Sequence, residues 1–179
     1  MAKTERRPRQ ARRRIPRRQR TTIVVVALLL VAGGVGYFAY RAQANLPGMQ
    51  FPDQGNRHIA SAETPHEPYN SEPPTSGPHL PYIAPWGVHT RPIVQELQVH
   101  NLEDGGVLVQ YNCECPEVVA KLKAIVQRYD RFVILAPYPG MKPTIALTAW
   151  TRLDTMSEID EARIVRFIEA YRGIDHHRK

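Results

Sequence analysis

The residues best equipped for chemistry are histidines and carboxylates in the stretch Tyr69–Gly106, which holds His79, His89, His100, Glu103 and Asp104 and follows His66 closely. His100 and Glu103 are three apart, a spacing that puts imidazole and carboxylate on one helix face. These are the usual ligands of zinc- and copper-type ions. The expectation is a binding module in which His79, His89, His100, Glu103 and Asp104 converge on one zinc- or copper-type metal ion, or on a small ligand. The competing reading is a clamp, in which His100 and Glu103 pair only to hold the loop down. A separation above about 8 Å between ring nitrogens of His79 and His100 would exclude a shared ion, because two metal bonds span roughly 4 Å.

A second constellation is Cys113 and Cys115, a C-x-C set between a strand and a helix start. Helix N-termini stabilise thiolates, and a strand–cysteine–helix order opens thioredoxin-like redox domains. Three readings stay open: an oxidised structural pair, a thiol redox pair, or a copper-handling site for Cu(I). Glu114 between them favours the thiol form. No phosphate-cradling glycine loop, nucleotide fingerprint or serine–histidine–acid pattern stands out, and Thr75-Ser76-Gly77-Pro78 reads as a turn rather than a nucleophile. No reaction is indicated.

The elements that must position these groups begin at Pro92, which suits a helix first turn. Ile93, Glu96, Leu97 and His100 share a helical face, and Gly105-Gly106 ends it. Val107–Tyr111 reads as a buried strand. Pro116 opens a helix with Val118, Val119, Leu122, Ile125 and Val126 as its apolar stripe. Strands follow at Phe132–Ala136 and Thr144–Trp150, separated by a turn-rich loop. A last helix starts near Ser157 and Asp160 and runs to about Arg172, its stripe being Ile159, Ile164, Val165, Phe167 and Ile168. The order predicts an α+β fold, a two-layer α/β sandwich with a small sheet, preceded by one transmembrane helix and a long Pro/His-rich loop.

The N-terminal part reads as delivery. Residues 1–20 hold Lys3 and nine arginines against Glu5, so the net +7 of the 179-residue chain belongs to this tail. The other 159 residues carry 14 basic and 16 acidic groups, which gives no basic surface for nucleic acid. Thr21 to Tyr40 has no charged residue, and twenty helical residues rise about 30 Å, enough to cross a hydrocarbon core. Basic residues before the span and aromatic Tyr37, Phe38 and Tyr40 at its far end predict a cytoplasmic N-terminus and an extracytoplasmic domain. Ala42-Gln43-Ala44 resembles a small-x-small cleavage site, so a removed signal sequence is the alternative to a retained anchor. The expected organisation is a basic tail (1–20), a span (21–40), a linker or extended arm (41–68), an α+β domain (69–173) and a polar tail (174–179).

The motifs YNSEPPTSGPH, APWGVH, VHNLEDGGVLVQY and ALTAW, in that order, resemble a bacterial domain-of-unknown-function family, the one numbered 3105. The resemblance runs from about Gly55 to Tyr171. It implies a single-span bacterial cell-membrane protein and no known activity. The family form of the third motif is His-Asn-Leu-Glu-His-Gly; here His100, Asn101, Leu102, Glu103 and Gly105 match, and Asp104 replaces the second histidine. A carboxylate there changes metal preference. The family form also contains H-x-x-E-H, a zinc-protease pattern; the glycine pair and Asp104 argue against a protease here.

Overall fold

The computed structural model describes residues 16–177, which divide into two compact units that meet after Leu46. The first contains helix α1 (Arg17–Ala44), 28 residues long. Within it Arg18–Phe38, with mean hydropathy 2.2, is long and apolar enough to cross a membrane, a property shared by signal sequences. Its Leu30 and Phe38 are more than 70% exposed.

The second unit is built on a six-stranded mixed sheet. Its strands are β1 (Met49–Gln50), β2 (Gly87–Val88), β3 (Val107–Tyr111), β4 (Val133–Pro137), β5 (Ile145–Ala149) and β6 (Arg152–Met156), in the spatial order β1-β6-β5-β3-β4-β2. Three helices accompany them: α2 (Gln95–Glu103), α3 (Pro116–Val126) and α4 (Glu161–Tyr171). β3 and β4 run parallel with α3 between them, whereas β3–β5 and β5–β6 are antiparallel. Residues of both parities are buried along β3 and β5. Such strands read as continuous apolar runs rather than as alternation.

The α+β class and the positions of α3, β3, β4 and β5 agree with the expectation. Three strands escape it. β1 and β2 have two residues each, too short to leave a pattern. β6 alternates correctly, but its inward positions include Arg152 and Asp154. Asp154 is satisfied by Arg163 of α4, whose Nε donates to Oδ2 at 2.8 Å and whose Nη2 reaches Oδ1. That paired charge hides a strand from a search for apolar alternation.

α2 also differs in its inner face. Gln98, Val99, His100, Asn101, Leu102 and Glu103 are all buried, whereas Glu96 and Leu97 are only half-buried. Val99 and Leu102 join Leu108, Ile134, Ala136 and Trp150 in the core. The buried polar groups survive there because they are bonded: Asn101 clamps both backbone groups of Ala84 at 2.9 Å, and Gln98 accepts from Gln110 at 2.7 Å. α4 is capped by Asp160, which accepts from the Arg163 amide at 3.0 Å, and buries Ile164, Phe167, Ile168 and Tyr171.

Candidate metal centre

The site forms at the sheet end where β3 begins and β5 hands over to β6. α2 delivers His100 and Glu103 in its last turn, then Gly105-Gly106 turns the chain into β3. Gly105 adopts φ +83, where a side chain is strained, and a Cβ on it would meet the Ile174 amide nitrogen at 2.6 Å. The glycine therefore lets the C-terminal segment cross directly above the turn.

Two further segments close the site. Residues 54–59 run beside 76–79: Gly77 donates to the Gly55 carbonyl at 2.9 Å, His79 to the Arg57 carbonyl at 3.0 Å, and Ile59 to the His79 carbonyl at 2.8 Å. This ladder aligns His58 with His79. Tyr69, whose hydroxyl donates to the Pro78 carbonyl at 2.6 Å, packs its ring against Gly77 and fixes the loop's path. Burial holds that phenol's pKa above its usual range.

Nitrogen or carboxylate-oxygen atoms of His58, His79, His100 and Glu103 all lie within 4.8 Å of one another. The Glu103 carboxylate is the hub, and its side chain is 1% exposed. Its Oε1 accepts from Asn56 Nδ2 at 2.6 Å. Its Oε2 lies 2.9 Å from His79 Nε2, 3.4 Å from His177 Nε2, 3.8 Å from His58 Nε2 and 3.9 Å from His100 Nδ1. His79 Nδ1 sits 2.7 Å from the Gly77 carbonyl oxygen. A carbonyl only accepts, so Nδ1 carries the proton and Nε2 turns to the carboxylate. Metal-ligating histidines are oriented in this way, by a bond to the other ring nitrogen. Two acceptors 2.9 Å apart need a positive charge between or beside them, either a proton on Nε2 or a metal ion.

His100 is the least satisfied member. Its Nδ1 is buried and makes no hydrogen bond to any described residue. Desolvation by burial pushes its pKa down, opposed mainly by the Asp104 carboxylate. A neutral imidazole with an unpaired buried nitrogen is in the protonation state a metal requires. Leaving such a nitrogen unpaired costs about 1–3 kcal/mol.

Of the residues singled out in the sequence, His79, His100 and Glu103 come together, and Asp104 lies at the rim with Oδ1 3.8 Å from His100 Nε2. His89 does not join them. It follows edge strand β2, and its Nε2 donates to the Pro85 carbonyl at 2.7 Å. His58 and His177 were not foreseen. The first falls in the stretch read as linker or extended arm, which from Pro47 onward is part of the second unit. The second falls in the stretch read as a polar tail, of which residues 178 and 179 lie outside the described residues. Neither segment carries helical or strand periodicity; the histidine itself was the only available signal.

Cys113 and Cys115 are joined to each other by a disulfide. They follow the far end of β3, whereas Glu103 precedes its near end. Five strand residues span about 17 Å, so the two constellations cannot share an ion. A groove of about 760 Å³ lies elsewhere again, beside β6 and α4; of its carboxylates, Asp154 is engaged by Arg163 and Asp160 caps α4.

Residues 62–178 match the model of a family described as protein of unknown function (DUF3105). The chain belongs to this family. The match covers His79, His100, Glu103, Asp104 and His177, while Asn56 and His58 precede it. No curated protein and no solved structure matches the chain. In this DUF3105 protein the donor set around Glu103 is nitrogen and oxygen without sulfur. Such a set suits zinc or copper(II) and disfavours copper(I).

Proposed function

We propose that this DUF3105 protein is a metal-binding module, held at a membrane by α1 with its folded unit on the extracytoplasmic side. His58, His79, His100 and Glu103 are its ligands, and zinc or copper(II) is its ion. The observation that carries the reading is the buried face-to-face arrangement of Glu103 Oε2 and His79 Nε2, beside an unpaired His100 Nδ1. A bound cation would satisfy all three groups at once. Two metal–ligand bonds of about 2.1 Å reach about 4.2 Å, so atoms within 4.8 Å need only small side-chain movements to share an ion. The orientation rests on the charge asymmetry across Thr21–Tyr40. The disulfide fits the same side of a membrane.

The test is metal content. The full chain, purified in detergent micelles and dialysed against zinc, should retain the ion. His100→Ala should lose it, and His89→Ala and His176→Ala should not. A metal-free wild type would leave only the clamp, in which His100→Ala lowers the melting temperature with no metal to lose; retention of zinc by His100→Ala would remove His100 from the ligand set and overturn the site as assigned.

A further inference from the structure

We propose that His100 bridges two cation subsites, the second formed by His100, Asp104 and His177 on the solvent side of the first. This rests on the metal-binding reading above and extends it to a dinuclear centre.

Donor atoms of His100, Asp104 and His177 lie within 4.8 Å of one another. His177 Nε2 is 3.7 Å and His100 Nε2 is 3.8 Å from Asp104 Oδ1. These separations are too long for hydrogen bonds and within the reach of two metal–ligand bonds. The two nitrogens of His100 point to different carboxylates: Nδ1 to Glu103, inside, and Nε2 to Asp104, at the rim. One ring therefore belongs to both groups. When both subsites fill, its remaining N–H proton leaves to water and each nitrogen lone pair binds one ion.

His177 is prepared for the same task. Its Nδ1 lies 2.7 Å from Asp175 Oδ1, and the same oxygen accepts the His177 amide at 2.9 Å. The Asp175 carboxylate so placed accepts a hydrogen bond from Nδ1–H and leaves the Nε2 lone pair facing the site, the carboxylate–histidine arrangement that orients metal ligands.

The segment carrying His177 is fixed rather than loose. Gly173 donates to the Gly105 carbonyl at 2.7 Å, and His176 donates to the Glu103 carbonyl at 2.8 Å. The His176 ring stacks on Trp150 with centroids 5.8 Å apart. The residues from 173 to 177 thus form a strap across the last turn of α2, and the strap ends at the second subsite.

The experiment counts ions. The full chain in micelles, stripped with chelator and dialysed against buffered zinc, should hold two zinc ions. His177→Ala and Asp104→Asn should each hold one. With copper(II), the paramagnetic resonance signal per ion should fall as the second equivalent binds, because the shared ring couples the two spins. One zinc ion in wild type and in both variants would overturn the second subsite. So would one zinc ion in wild type that His177→Ala removes, since His177 would then complete the first site. Zero zinc in wild type would overturn the proposed function itself.

Discussion

The two ends of β3 carry the two constellations with a chemical repertoire, and they are built differently. At the far end, Cys113 and Cys115 close on each other within three residues of one turn. They need nothing from the rest of the chain. At the near end, Glu103 gathers partners from residues 56, 58, 79, 100 and 177, four segments spread over most of the folded unit. A local pair can stabilise a turn. A buried carboxylate ringed by imidazoles from distant segments has a high desolvation cost, which the fold offsets only with several partners. That investment is why the near end, rather than the cysteine turn, is read as the functional one.

The contrast predicts unequal consequences of substitution. His79→Ala should have the largest effect. It leaves the buried Glu103 without its closest imidazole and should destabilise the chain by about 3 kcal/mol, with loss of metal. Denaturant unfolding with and without zinc checks both parts; a change under about 1 kcal/mol would mean the network is slack. Replacing both cysteines by serine should cost less, about 1–2 kcal/mol, because the closed loop is so short. Metal content should be unchanged, and any loss of metal would break the separation of the two ends.

Acid should act on the near end in a defined direction. Burial lowers the pKa of His100 and His176, so the folded chain resists protons that the unfolded chain accepts near pH 6.5. Stability from these two is present above that pH and declines as pH falls through their depressed values. His177 opposes them: its bond to Asp175 raises its pKa, so its contribution is present below about pH 6.5 and fades as pH rises through the raised value. With two groups against one, the metal-free chain should melt at lower temperature at pH 5 than at pH 7. His176→Gln should shrink the difference. A melting temperature that rises on acidification would contradict the assignment.

The sequence was informative where local rules govern. Apolar runs marked β3, β4 and β5, and Pro116 marked the start of α3. The i, i+3 spacing of His100 and Glu103 placed them on one face, and loop rigidity pointed to His79. What stayed hidden depends on long-range pairing. The bridge between His58 and His79 joins positions 21 apart through backbone bonds, which any side chain permits. His177 arrives because Gly105 leaves room above it, and a glycine pair after a helix reads first as a stop signal. His89 misled for the converse reason. It shares the composition of its loop, but edge strand β2 carries it to the margin of the sheet, beside β4 rather than β3.

The most direct test is Glu103→Gln in the full chain, followed by zinc affinity and melting temperature together. The substituted amide keeps the network's shape: its oxygen accepts from Asn56 and its nitrogen donates to His79 Nε2, whose own proton stays on the Gly77 side. A metal centre loses its only buried carboxylate ligand, whereas a clamp exchanges a charged hydrogen bond for a neutral one. The account predicts zinc affinity reduced ~100-fold or more, with a metal-free melting temperature within a few degrees of wild type, as expected for about 1 kcal/mol or less. Unchanged zinc affinity in Glu103→Gln, or no zinc binding by the wild type, would contradict it.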